Sequence, residues 1–251
     1  MKRLDIVGEK YITNEGYEVE VVSYENYYNA LIMFPDGFYK KANVGCLLKG
    51  VIRNPNHKSY YNVGYLGDGN YKVANTVYGR KWMAIMKRCY NFSKNIKDKS
   101  YKNCSVDTHW HNFQNFAKWF EENYNPETMQ GWHLDKDILV KGNKVYSSET
   151  CCLVPSEINM LFVNSSSSKN KNCIGVTYHS RLNKYEAALN KKSKSFYLGL
   201  FYTMEEAFDA YKTAKEAYIK EVADKWRDLI DPRVYKAMYN YKVEINLDIE
   251  K

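Results

Sequence analysis

The alternation of apolar and polar residues changes period along the chain. Up to about residue 70 the apolar runs are short and rich in β-branched or aromatic residues: Tyr17-Glu18-Val19-Glu20-Val21, then Asn29-Ala30-Leu31-Ile32-Met33-Phe34. Asp36-Gly37 has hairpin-turn chemistry and returns the chain through Phe38-Tyr39. These signals predict a small open barrel or curled sheet. Asn54-Pro55-Asn56 and the glycine-rich stretch from Gly64 to Asn70 then predict a linker or a long ordered loop.

From Val77 the period lengthens to that of a helix. Tyr78, Trp82, Ile85, Met86, Cys89 and Tyr90 recur at threes and fours and share one face. A second helix is predicted from about Thr108 to Tyr124, with Trp110, Phe113, Phe116, Ala117 and Phe120 on its apolar stripe and Asn125-Pro126 ending it. Strand, turn, strand and helix follow. Trp132 to Leu139 is the first strand, Lys141-Gly142-Asn143-Lys144 the turn, Ser148 to Pro155 the return, and Ile158, Leu161 and Phe162 mark the helix.

Ser165-Ser166-Ser167-Ser168 followed by Lys169-Asn170-Lys171-Asn172 reads as a flexible basic linker and as the clearest boundary in the chain. Three compact strand signals and one long helix lie beyond it. Thr203 and Glu206 have the spacing of a capping box, and Met204, Ala207, Phe208, Tyr211, Ala214, Tyr218 and Val222 give the helix a continuous apolar face. Asp231-Pro232 suggests a fresh helix start in a charged tail. The expected architecture is α+β and multidomain. It has a β-rich module at 1–70, a helical and ββα module at 77–164, a three-stranded antiparallel sheet packed on one helix at 169–223, and a helical tail at 224–251.

Composition narrows the function classes. At 251 residues with 45% hydrophobic and 26% charged positions, the chain is ordinary for a globular protein, which excludes wholly disordered and collagen-like classes. No run of about 18 apolar residues exists to form a transmembrane helix. The N-terminus turns polar at Asp5 before any apolar core of a secretory signal develops, so residence in the cytoplasm is expected. The six cysteines form no C-x-x-C pair and read as reduced, mostly buried thiols. Much of the richness in Lys, Asn, Tyr and Ile is what AT-rich codons supply. The formal net charge of +8 favours association with phosphate, without by itself separating a nucleic-acid binder from a merely basic protein.

The charge excess is concentrated. Between Lys169 and Ser195 stand seven Lys or Arg (169, 171, 181, 184, 191, 192 and 194) and one acid, Glu186, so 7 − 1 gives +6. Alternation puts Val176, Tyr178, Tyr185, Ala187 and Leu189 on one face, and Thr177, His179, Glu186 and Ala188 on the other. The sequence Ile174-Gly175-Val176, the Lys184-Tyr185 pair, Tyr197-Leu198-Gly199 with Phe201, and the helix holding Glu205-Glu206-Ala207 and Ala210-Tyr211 resemble the Apetala/ethylene-response-factor (AP-two) DNA-binding domain over roughly residues 173–223. That resemblance implies a three-stranded sheet lying in the major groove of double-stranded DNA, a groove that admits such an element. Carried over by position, it implies DNA contact by His179, Arg181, Lys184, Lys192 and Lys194. Glu186 stands where a basic residue is common in the family, and a carboxylate there can accept a hydrogen bond from cytosine. The bland reading of the same residues is a solvated basic hairpin without sequence preference.

The segment before it, Trp132-x-Leu134-Asp135-Lys136-Asp137-Ile138-Leu139 with Gly142-Asn143-Lys144 and Tyr146-Ser147-x-Glu149-Thr150-Cys151, resembles phage-encoded HNH homing-endonuclease-like proteins. The two preceding helices share that resemblance, which then covers about residues 77–223. It implies a ββα fold with one divalent metal, Mg2+ or another, stabilising the scissile phosphate while a strand histidine activates water. Asp135 matches the first-strand carboxylate, and Asn143 lies where a base-orienting Asn is expected. The slot of the base His holds Lys136, a poor general base unless burial lowers its pKa. His133, two residues before Asp135 on the same strand face, is an alternative base, and His109 and His111 are others. Asp135 with Asp137 suits a shared Mg2+, and the last ligand is expected from the following helix, where Ser156, Glu157 and Asn159 stand. Solvated strand charges are the competing reading of both aspartates. His109-x-His111 with Cys104, Cys151 and Cys152 has zinc-type ligands but no defensible spacing.

Three functions stay open on sequence. The chain is a sequence-preferring double-stranded DNA-binding protein that also cuts DNA as an HNH-type hydrolase in a bacterial host. Or it is a non-catalytic DNA-binding regulator or phage accessory protein with a degenerate nuclease module. Or its Tyr-rich N-terminal module meets a host protein, in the manner of an anti-defence protein. Oligomeric state and DNA target are not encoded in any motif.

Overall fold

The computed structural model describes residues 6–91, 101, 103–162, 173–192 and 194–244. The expected Ser/Lys/Asn linker at 165–172 lies outside them. Contacts divide the chain into two compact units, 1–121 and 122–251. The expected 77–164 module therefore straddles the division, with its helices largely in the first unit and its strand–turn–strand–helix in the second.

The first unit opens with β1 (Lys10–Ile12), β2 (Glu18–Asn26), β3 (Asn29–Met33) and β4 (Tyr39–Ala42), an antiparallel meander in sequential order. Val19, Val21, Ala30, Ile32 and Phe34 alternate onto its inner face, and the short helix α1 (Val44–Leu48) adds Val44 and Leu47 to one apolar cluster. The β3–β4 turn is fixed by Asp36, whose carboxylate accepts from Phe38 N and from the side-chain amides of Asn54 and Asn56. Those three donors hold its pKa below the ordinary aspartate range, against the opposing effect of burial.

The glycine-rich stretch before the first long helix is an ordered loop. Gln114 donates to the carbonyls of Leu66 and Tyr71 and accepts from Tyr71 N. Helix α2 (Val77–Tyr90) is capped by Thr76 and buries Trp82, Ile85, Met86 and Cys89, the face that its periodicity predicts. The second predicted helix is broken in two. After β5 (Ser105–Val106), a 3-10 turn spans Thr108–His111, and α3 (Phe113–Asn123) starts afresh because the Asn112 side chain accepts from Gln114 N at 3.0 Å. An Asn that satisfies a first-turn N–H favours a helix start over a helix interior. Trp82 donates to the Trp110 carbonyl at 2.7 Å, so the aromatic core of this unit is polar-satisfied as well as packed.

The second unit begins with β6 (His133–Asp135), β7 (Val145–Tyr146) and β8 (Cys152–Val154), with β6 and β8 antiparallel, followed by α4 (Ser156–Phe162). Next come β9 (Val176–His179), β10 (Lys184–Lys191) and β11 (Lys194–Phe201), an antiparallel sheet ordered β11-β10-β9. Helix α5 (Met204–Trp226) packs across that sheet, burying Ala207, Phe208, Tyr211, Tyr218, Ile219, Val222 and Ala223 while Val176, Ala187 and Leu189 face it. Its capping box is present: Glu206 N donates to Thr203 Oγ1 at 3.2 Å, and Thr203 N to Glu206 Oε2 at 3.3 Å. Such a cap stabilises the helix by about 1 kcal/mol. Gly175 has φ +75°, and a Cβ there would lie 2.1 Å from the Tyr211 ring, so backbone and ring meet only because the side chain is absent.

The tail folds back onto α5. Helix α6 (Pro232–Tyr239) starts on Asp231 as its cap, with Pro232 in its first turn, and buries Val234 and Met238. Tyr235 donates to Asp224, and Val243 N donates to Glu216. The mixed α and β character of the chain and its three-stranded antiparallel sheet thus match the sequence expectation. Among the described residues no helix is long and apolar enough to cross a membrane.

Candidate nucleic-acid interface

Register fixes which side chains of the C-terminal sheet point away from α5. Lys184 pairs with His179, Glu186 with Thr177 and with Leu200, and Ala188 with Tyr197. Residues opposite each other across an antiparallel pair share a face. Thr177, His179, Lys184, Glu186, Tyr197 and Leu200 therefore share the face opposite the buried Val176, Ala187 and Leu189. A bulge between Ala187 and Ala188 shifts β11, which turns Tyr197 and Leu200 outward together although they are three residues apart.

The outward groups differ in how far they are committed. His179 Nε2 and Glu186 Oε2 are 2.8 Å apart, both side chains more than a third exposed. The Lys184 ammonium lies 4.5 Å from the centre of the Tyr202 ring, a cation–π contact at the sheet rim. Arg181 stands on the β9–β10 turn, where Tyr178 Oη donates to Asn183 at 2.7 Å and holds the loop closed. Arg181 is exposed and pairs with no acid among the described residues; Lys194, exposed too, stands opposite Lys191 and so on the α5 side of the sheet. Lys192, at the β10–β11 hairpin, points its ammonium to Glu157 Oε1 of α4 at 3.6 Å. Lys191 is engaged elsewhere, with Glu221 at 3.2 Å and over the Tyr218 ring at 4.5 Å.

Sequence reading missed the exposed aromatics Tyr197 and Tyr202, 63% and 76% accessible. The Tyr-Leu-Gly stretch was visible, but plain alternation does not anticipate the bulge that sets its outward face. It also missed the clasp at Glu157. That carboxylate accepts from Lys225 Nζ and, at 2.9 Å, from Trp226 Nε1, joining α4 to the end of α5. These donors, with Lys192, hold Glu157 below the usual glutamate range despite burial.

The strand–turn–strand–helix segment arranges its polar groups differently. Asp135 Oδ1 accepts from Asp137 N and Ile138 N, both at 2.8 Å, so this carboxylate caps the turn that follows β6. Burial and the nearby Asp137 carboxylate push its pKa up to about 6, against the pull of those two donors. Lys136 is buried, and its ammonium donates to Asp137 Oδ2 at 2.9 Å and to the Asn143 carbonyl at 3.0 Å. The Asn143 side chain donates to the carbonyls of Lys136 and Val145, both at 2.7 Å, and accepts from Val145 N. His133 is exposed at the start of β6, and Asn159 is half-buried on α4.

The structure thus brings Asp135, Lys136, Asp137 and Asn143 together, in one self-satisfied loop. Much of this donor set is already engaged within the loop. One aspartate oxygen is committed to two backbone N–H groups, the other aspartate to an ammonium, and Asn143 to closing the loop. Among the described residues no group of three His, Cys, Asp or Glu side chains is placed to hold a metal. In the first unit, His111 Nε2 lies 3.2 Å from Tyr90 Oη and 3.0 Å from the Val106 carbonyl, a structural bond network. Cys151 and Cys152 are buried, and desolvation raises both thiols above the ordinary cysteine range. Compared with protein-family models, with curated proteins and with solved structures, the chain matches none.

Proposed function

We propose that this chain is a double-stranded DNA-binding protein that docks through the outer face of β9–β11, with the β6–β8–α4 segment as its scaffold. The observation that carries this reading is the outer face itself. It offers the half-buried Lys184 beside the exposed Tyr197, Leu200 and Tyr202, with the exposed Arg181 on the β9–β10 turn, on a three-stranded sheet backed by α5. Cations on such a face neutralise phosphates, and apolar or aromatic groups among them meet base edges and methyl groups. The likeness to the Apetala-type domain points the same way. The scaffold role of the preceding segment is favoured by its closed hydrogen bonding, in which Lys136 fills the slot where an HNH enzyme carries its base.

A gel-shift series from low to high salt tests binding, beside a supercoiled plasmid incubated with Mg2+ or Mn2+ and an EDTA control. Expected are a salt-sensitive shift and an intact plasmid. Metal-dependent nicking that is lost in Asp135→Ala would overturn the scaffold reading and establish an HNH-type nuclease. Absence of any shift at low salt would remove DNA binding.

A further inference from the structure

Helix α5 turns an almost wholly apolar face inward, and Lys215 interrupts it. This lysine stands four residues after Tyr211 and four before Ile219, both buried, which places it on the same flank. Partial burial holds its ammonium below the ordinary lysine range, and among the described residues no charged partner offsets that shift. A half-buried cation without a counter-charge carries a desolvation cost, so it invites a functional explanation.

Lys215 lines a cleft of about 750 Å3 formed by α4, α5 and the β10–β11 hairpin, within the usual range for ligand sites of roughly 300–1,000 Å3. Asn190, Lys192, Tyr218 and Lys225 line it too, and its acid is Glu157. Lys225 and Trp226 both donate to Glu157 Oε2. Lys192 Nζ stands 3.6 Å from Oε1, beyond hydrogen-bonding distance, and Oε1 has no hydrogen-bond partner, so Lys192 keeps its donors for another acceptor. Among the described residues, three ammonium groups against one carboxylate leave the wall two positive charges in excess. Separate lysine point charges around a cavity suit a tetrahedral, multiply charged anion, whereas a planar carboxylate is best met by an arginine fork.

We propose that this cleft is a phosphate-binding site, with Lys215 as its central cation and Lys192 and Lys225 flanking it. The phosphate comes from one of two sources. One is the backbone of duplex DNA lying on the sheet, since Lys192 belongs both to the hairpin and to the cleft; this form rests on the DNA-binding reading. The other is a free nucleotide, and this form does not.

The test uses the full chain, as wild type and as Lys215→Met and Lys215→Arg, each first melted to establish folding. Removal of an uncompensated charge is expected to leave the melting temperature of Lys215→Met equal or higher. Inorganic pyrophosphate is titrated calorimetrically, and a duplex is titrated across a salt series. Pyrophosphate affinity is expected to fall at least tenfold in Lys215→Met and to be retained in Lys215→Arg. If the phosphate is that of DNA, the slope of log K against log salt also shrinks by about one in Lys215→Met; an unchanged slope with lost pyrophosphate binding assigns the site to a free nucleotide. If Lys215→Met fails to fold, Lys192→Met, at an exposed position, gives the same readings. Pyrophosphate that does not bind wild type, together with a duplex slope unaltered by the substitution, overturns the proposal. Wild type that binds pyrophosphate through Lys215 but no duplex removes the DNA reading and leaves the cleft standing.

Discussion

Two stretches of the second unit set acids and cations side by side to opposite effect. The loop after β6 holds Asp135, Lys136, Asp137 and Asn143; the sheet β9–β11 carries His179, Arg181, Lys184 and Glu186. In the loop every one of those groups is turned toward another: the Lys136 side chain is 8% exposed and its ammonium has an acid and a carbonyl as partners. On the sheet, Lys184 rests on a tyrosine face and Arg181 has no acid partner among the described residues. A lysine whose donors are spent stabilises a fold, and one whose donors remain is available to a ligand. The residue types alone do not tell these cases apart.

The largest predicted effect strikes the platform of the sheet. Gly175→Val places a branched side chain where φ is +75° and the Tyr211 ring is already in contact. We expect a loss of about 3 kcal/mol or more by chemical denaturation, with DNA binding falling in parallel. A shift below about 0.5 kcal/mol would mean that close approach of β9 to α5 does not set the sheet.

Substitution of the two lysines separates the regions directly. Lys136→Ala removes the donor of the Asn143 carbonyl and opens a buried gap, while the Asp137 carboxylate, 43% exposed, turns to water; the cost is about 1–3 kcal/mol. Lys184→Ala, at the rim, is expected to change stability by no more than about 0.5 kcal/mol. It should instead lower the salt slope of DNA binding by about one. Equal stability losses for the two would erase the contrast between spent and available donors.

The contrast also explains what was legible in sequence. Periodicity located α2 and α5 and their buried faces, because apolar spacing is the cause of that burial. The Thr203–Glu206 capping box and the Asp231-Pro232 helix start were legible because each acts within one turn. The break at Asn112 was not: a continuous apolar stripe from Trp110 to Phe120 hides a local side-chain bond. For the candidate site, the outward set Thr177, His179 and Glu186 followed from alternation, whereas Tyr197 depends on a bulge and the Glu157 clasp on residues 68 and 69 positions apart. Asp135, Lys136 and Asn143 were visible as residues, but their bonds to one another depend on how the loop closes.

A smaller effect belongs to Asp135. Its folded pKa of about 6 lies above the roughly 3.9 of an unfolded aspartate, so the native state keeps a proton that the unfolded chain releases. Its contribution is therefore fully present below about pH 4 and is lost as pH rises through about 6. Asp135→Asn keeps an oxygen for the N–H groups of Asp137 and Ile138 without the charge. Melting curves should converge with wild type near pH 4 and show the variant more stable by about 1–2 kcal/mol above pH 6. A variant less stable at pH 8 would mean that the ionised carboxylate is needed there, as a site for a cation requires.

The smallest expected change in stability tests the sheet at its one acid. Glu186 and His179 are 34% and 40% exposed, so their 2.8 Å pair is worth under about 1 kcal/mol to folding. Glu186→Gln keeps the size of the side chain and an acceptor oxygen, but removes a negative charge from a surface proposed to meet phosphate. If the carboxylate acts only through that charge, the variant binds every duplex more tightly, by about three- to tenfold, with a steeper salt dependence. That uniform gain is the expected outcome, measured by anisotropy on several unrelated duplexes. A gain on most sequences with a loss of about 1–3 kcal/mol on one containing a particular C·G pair would instead assign Glu186 to the cytosine amino group. His179 would then be the residue that aims it, and the spent donor of this pair would be part of how the sheet discriminates between sequences.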